Sequence, residues 1–266
     1  MPFLKNYRLL IAVAVLFLGI SCSKVEESSP QSQPSSNTRI LAKASHAALP
    51  FAEGETIRYD IKSLGITVGE ASLVFNGLQK LGGKDVYLIT FTAKAVNFYD
   101  EEKIYADINS FYPVMVKRDI NIFGKKEKIT EEYDQKRGIM RLIKTARAKT
   151  TQQSYRKGGM VDNIYCFIYR CRRSGTFKTG DSFVINLPTT NARIDLLKIM
   201  PLKIARKAYE TYYLESNPSK YKFWFDTGKE RIPLKIKGAV GLKDTSMIMA
   251  LYQKGGNRLS KPIEGK

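Results

Sequence analysis

The chain carries a single histidine, His46, and it lies in a low-complexity stretch ahead of any periodic pattern. That leaves no His-dependent triad and little scope for metal-assisted hydrolysis. Cys22, Cys166 and Cys171 are the only cysteines, and no Cys-x-x-Cys spacing marks a metal or redox site. A Gly-x-Ser-x-Gly elbow is missing, and no motif implies a cofactor. Acidic residues are in the minority, 25 against 44 Lys and Arg, for a net charge of +19. The apolar run from Leu9 to Ile20 falls short of the roughly 20 residues a membrane-spanning helix needs. These absences point away from an enzyme.

What is present starts with the first residues. Lys5 and Arg8 precede that apolar run, which ends in Ser21-Cys22. A basic start, a short apolar centre and a small residue before the break predict a secretory signal over residues 1–21. The segment Leu18-Gly19-Ile20-Ser21-Cys22 resembles a bacterial lipoprotein signal, with Gly19 where leucine is more usual. The resemblance implies cleavage before Cys22, acylation of that cysteine and attachment to a membrane. Ser23 in place of aspartate implies the periplasmic face of the outer membrane in the bacterial cell envelope. Export excludes nucleic acid as a leading partner. Residues 22–50, rich in Ser, Pro, Gln and Asn, read as a lipidated flexible tether. A coil of that length spans roughly 25–30 Å. The basic excess attracts anionic partners such as lipid headgroups, but it is spread along the chain, as lysines on solvated faces are.

From Phe51 onward the pattern is two-residue alternation broken by short turns. Ile57, Tyr59 and Ile61 share one face; Arg58, Asp60 and Lys62 share the other. The same period recurs over Val68–Phe75, Val86–Val96, Ile104–Tyr112, Val114–Phe123, Lys128–Tyr133 and Ile139–Thr145. It resumes at Ser182–Leu187, Ile194–Ile199, Ala205–Glu215, Tyr221–Phe225, Ile232–Ile236 and Ser246–Tyr252. The expected fold is mainly β: a large curved antiparallel up-and-down sheet or open barrel of roughly ten or more strands. One buried helix near 161–172 interrupts it, with Asp162 as N-cap, a basic last turn and Gly175 as the stop. The domain covers residues 51–252, and 253–266 form a frayed polar tail. Between Phe225 and Ile232, the loop Asp226–Glu230 puts Gly228 where a positive φ is expected.

Several segments together resemble a family of exported bacterial proteins known as DUF3108, a domain of unknown function. They are Gly54–Tyr59, Gly65–Ala71, Asp162–Arg170, Gly180–Phe183, Phe223–Asp226 and Arg231–Ile236. Leu202–Tyr209 departs from the family pattern, which carries a glutamate and a glycine-led turn there. The resemblance implies export and the β-rich fold, and no activity.

Candidate chemistry is thin. Asp100-Glu101-Glu102 supplies carboxylates, but consecutive strand residues point to opposite faces, so the trio reads as a solvated turn or strand edge. Glu131-Glu132 reads the same way. Cys166 and Cys171 stand five helical positions apart, about 8 Å and beyond disulfide reach, so they read as two half-buried thiols. Trp224, on the strand face opposite Phe223 and Phe225, is a candidate ligand or partner contact, as are Tyr165, Tyr169 and Tyr209. Two readings follow. The first is a non-catalytic binding module holding a lipid or another amphiphilic or anionic envelope ligand on the concave face of its sheet. The second is an envelope scaffold that docks a protein partner and has no ligand cavity.

Overall fold

The computed structural model describes residues 49–174, 177–240 and 244–256. The signal, Cys22, His46, most of the tether, Gly175 and most of the tail lie outside the described residues. Fourteen strands and one helix are described. The first eight strands are β1 (Glu55–Ser63), β2 (Ile66–Leu81), β3 (Lys84–Ala95), β4 (Phe98–Asp107), β5 (Pro113–Ile122), β6 (Lys125–Asp134), β7 (Ile139–Ala146) and β8 (Lys149–Arg156). Helix α1 (Ile164–Arg173) follows. Then come β9 (Ser182–Leu187), β10 (Thr190–Ile204), β11 (Lys207–Asn217), β12 (Lys222–Asp226), β13 (Pro233–Lys237) and β14 (Thr245–Gln253).

All fourteen strands form one open antiparallel sheet, in the order β8-β7-β6-β5-β4-β3-β2-β1-β14-β13-β12-β11-β10-β9. The chain therefore starts mid-sheet, walks out to one edge at β8, and returns through α1 to the other edge at β9. From there it walks back until β14 pairs with β1 over Thr56–Ser63. The alternation read in the sequence is the alternation observed: Ile57, Tyr59 and Ile61 are buried and Arg58 is exposed.

The sheet curls around α1, whose side chains touch both wings. Tyr165 stacks on Phe91 of β3 at 4.3 Å, while Phe167 meets Phe223 of β12 at 5.7 Å and Phe183 of β9 at 6.2 Å. Tyr169 fills a space between Phe51, Phe75 and Phe111. Every residue from Tyr165 to Arg172 is buried. A helix buried all round needs its charges paired. Arg172 is paired with Glu55, and Arg170 with Asp162.

Several details differ from expectation. The N-cap is Asn163, whose Oδ1 accepts from the Tyr165 N–H at 2.9 Å. Asp162 instead turns inward to the Arg170 guanidinium (Nη1–Oδ1 2.9 Å). The basic last turn is thus anchored by specific partners as well as by the helix dipole. Cys166 and Cys171 are free thiols, and both are fully buried. Asp100-Glu101-Glu102, read as a solvated turn or strand edge, lies inside β4 with Asp100 and Glu102 buried, and Lys149–Arg156, too polar to read as a strand, is β8. The pieces Ile194–Ile199 and Ala205–Glu215 belong to one long hairpin, β10 with β11, whose distal half holds the segment that departs from the family pattern. In the loop after β12 the positive φ falls on Arg231 (43°) and not on Gly228.

Candidate functional site

Residues directly opposite one another in an antiparallel ladder project to the same face. One inner-face row therefore runs Leu73, Phe91, Glu102, Arg118, Ile129, Lys144 from β2 to β7. A second runs Ala71, Ala93, Asp100, Ile120, Glu127, Ala146. A third runs Phe75, Ile89, Ile104, Val116, Glu131, Leu142. Along each row the character changes near β4. On β2 and β3 these residues are apolar and fully buried. On β5 to β7 charged groups join them, and Ile120, Ile129, Leu142 and Ala146 are only half-buried. The inner face of β5–β7 is thus a partly covered trough beside the packed core.

A polar cluster stands where core and trough meet. Arg118 donates to both oxygens of Asp100 (Nε–Oδ1 2.7 Å, Nη2–Oδ2 2.5 Å), and its Nε lies 3.3 Å from Glu102 Oε1. The side chain of Asn163, which caps α1, also favours the charged form of Glu102. Tyr133 donates its hydroxyl to Glu131. Further down the trough Lys144 pairs with Glu127 at 2.8 Å. The buried Tyr165 hydroxyl has no hydrogen-bond partner among the described residues.

Three carboxylates around one guanidinium do not all ionise easily. Burial, with Asp100 and Glu131 nearby, outweighs Arg118 and pushes the Glu102 carboxyl up to about 7. Burial also raises Glu131, against its bond from Tyr133 and the Arg118 charge. Arg118 itself is held firmly charged: burial opposes its charge, and Glu102 and Asp100 more than compensate. The cluster can hold and release a proton near neutral pH. Among the described residues no group of three His, Cys, Asp or Glu is arranged to hold a metal ion.

The four aromatic residues singled out in the sequence do not share a face. Tyr165 and Tyr169 are inside the core on α1. Trp224 lies on the outer face of β12, beside Tyr213 (4.9 Å) and beneath the Lys235 ammonium (4.8 Å). Tyr209 is on the distal β10–β11 hairpin, with Lys207 Nζ 4.6 Å from its ring, beside a shallow groove of Ile199, Met200 and Pro201. Cys22 lies outside the described residues. The cluster of Asp100, Glu102, Arg118 and Glu131 was missed because the acidic trio was judged residue by residue. Taken two apart, Asp100 and Glu102 share a face, and that spacing was the available signal.

Against known proteins, no curated protein matches the chain. Among solved structures it is similar to the crystal structure of a beta-barrel-like protein of domain of unknown function DUF1849 from Brucella abortus. Identity is 8%, 77% of this chain and 99% of that one are covered, and the TM-score is 0.43. The model of the family described as protein of unknown function (DUF3108) matches residues 56–245, most of the folded domain, and the chain belongs to that family.

Proposed function

We propose that the protein is a cell-envelope lipoprotein, anchored through acylated Cys22, whose β domain is a non-catalytic binding module for an elongated amphiphile. The observation that carries this reading is the partly covered trough on the inner face of β5–β7. There Ile120, Ile129, Leu142 and Ala146 stay half-buried on the inner face while the equivalent positions of β2 and β3 are fully buried, with Phe91 and Phe75 against Tyr165 and Tyr169 of α1. An apolar chain lying along these side chains would remove them from water, worth roughly 25 cal/mol per Å² covered. The polar end would meet the Asp100–Arg118–Glu102 cluster. Carboxylates outnumber cations in the trough, so a head group bearing hydroxyl or ammonium donors suits it better than the anionic one expected from net charge.

The second reading, a docking scaffold without a ligand cavity, draws on the dense aromatic packing around α1. Native mass spectrometry of protein extracted from its own membrane separates the two. The binding module carries a co-purifying mass, which the double substitution Ile129→Asp with Leu142→Asp removes while the circular dichroism spectrum is kept. Bare protein after extraction and after incubation with envelope lipids would leave the scaffold reading.

A further inference from the structure

The sheet has two edges, and they are treated differently. At β9, Asn186 is engaged by the connector that leads into α1: its C=O accepts from the Asp162 N–H at 2.8 Å, and its side chain donates to the Met160 carbonyl at 3.3 Å. Among the described residues β8 is paired on one side only, with β7. Its eight residues, Lys-Thr-Thr-Gln-Gln-Ser-Tyr-Arg, are exposed except for Tyr155. The ladders from β5 to β8 run without a register shift, so the edge carries neither a bulge nor a proline. An edge so regular offers a row of backbone donors and acceptors to an incoming strand.

Charge specifies which strand. Between Asp134 and Asp162 the chain has eight Lys and Arg and no Asp or Glu. Of these, Lys136, Arg147, Lys149, Arg156 and Lys157 make no ion pair among the described residues. Lys149 and Arg156 bracket β8, roughly 23 Å apart along an extended chain. A second copy is a poor occupant, because its own β8 brings Lys149 and Arg156 and no carboxylate to pair with these cations.

We propose that β8 is a docking edge for an extended acidic peptide segment of a partner protein, which adds to the sheet as a further strand with acidic residues facing Lys149 and Arg156. This rests on the backbone edge of β8 and not on the trough reading, although the Lys149 side chain, opposite Ala146, stands on the same face as the trough.

The test uses three fluorescein-labelled synthetic peptides on the complete lipoprotein in detergent. One alternates Thr and Val between terminal Glu residues, one carries Lys in place of Glu, and one is the acidic peptide N-methylated at alternate residues. The acidic peptide should bind, slow amide exchange over residues 149–156, and outcompete the other two. In Lys149→Glu with Arg156→Glu, affinity for the acidic peptide should fall about tenfold and the Lys peptide should become the better ligand. That switch also shows the variant to be folded. Equal binding of the N-methylated peptide, or no protection of β8, overturns strand addition. Binding to phosphatidylglycerol vesicles that the charge reversal abolishes, with no peptide protection, overturns it in favour of a lipid-facing edge.

Discussion

Glu55, the first residue of β1, and Arg172, near the end of α1, form an ion pair with both side chains fully excluded from solvent (Nη2–Oε2 2.8 Å). Arg172 also donates to the Glu230 carbonyl at 3.0 Å, and Tyr252 donates to Glu55 at 3.0 Å. The pair thus ties the first strand, the helix and β14 at one point.

Removing one partner leaves a buried charge alone. Glu55→Ala is expected to cost about 3–5 kcal/mol, and Arg172→Met a comparable amount. The double variant should cost clearly less than the two together. Urea denaturation of all three measures this, and additive losses would show that the two residues act separately.

At Glu102 the effect is pH-dependent. Its folded-state value of about 7 lies above the ordinary carboxylate value of 4.5. The native state therefore holds a proton that the unfolded chain has released between those values, and stability falls as pH rises through that window. The contribution is on the order of 3 kcal/mol. Glu102→Gln should flatten the stability curve between pH 4.5 and 7 and raise Tm above neutrality. A wild-type curve rising with pH through that window would contradict the assignment.

Turn chemistry supplies a gain. The two residues joining β7 to β8, Arg147 (φ 48°) and Ala148 (φ 61°), both adopt the left-handed conformation without a glycine. Such a conformation costs an L-residue roughly 1–2 kcal/mol. Ala148→Gly should therefore stabilise the protein by about 1 kcal/mol in thermal or urea unfolding. Unchanged or lower stability would mean that the turn is held some other way.

Legibility in the sequence followed the range of the interaction. Ile57, Tyr59 and Ile61, or Phe223 and Phe225 against Trp224, are assigned to faces by alternation alone, because each strand reports its own burial. The helix was legible from its aliphatic and aromatic density. Partners distant in the chain were not: Glu55 and Arg172 are 117 positions apart, and nothing local distinguishes that glutamate from a solvated one. β8 was missed for the opposite reason. An exposed edge strand buries almost nothing, so Thr150–Ser154 has no apolar period to read. The trough cluster failed on register, since Arg118 meets Asp100 and Glu102 only once β4 and β5 are aligned.

The two faces of β12 give the last contrast. Phe223 has no exposed surface and packs on Phe167, whereas Trp224 is half-buried on the outer face between Tyr213 and Lys235. Phe223→Ala removes a core side chain with little room to relax and should cost about 3–5 kcal/mol. Trp224→Ala loses one edge of an aromatic contact and a cation–π pair, together about 1–2 kcal/mol. Because Trp224 is the single tryptophan, its fluorescence reports unfolding of the Phe223 variant, while circular dichroism follows the variant that lacks it. Equal losses would mean that the outer face of β12 is as closely packed as the inner one, which its half-exposed tryptophan argues against.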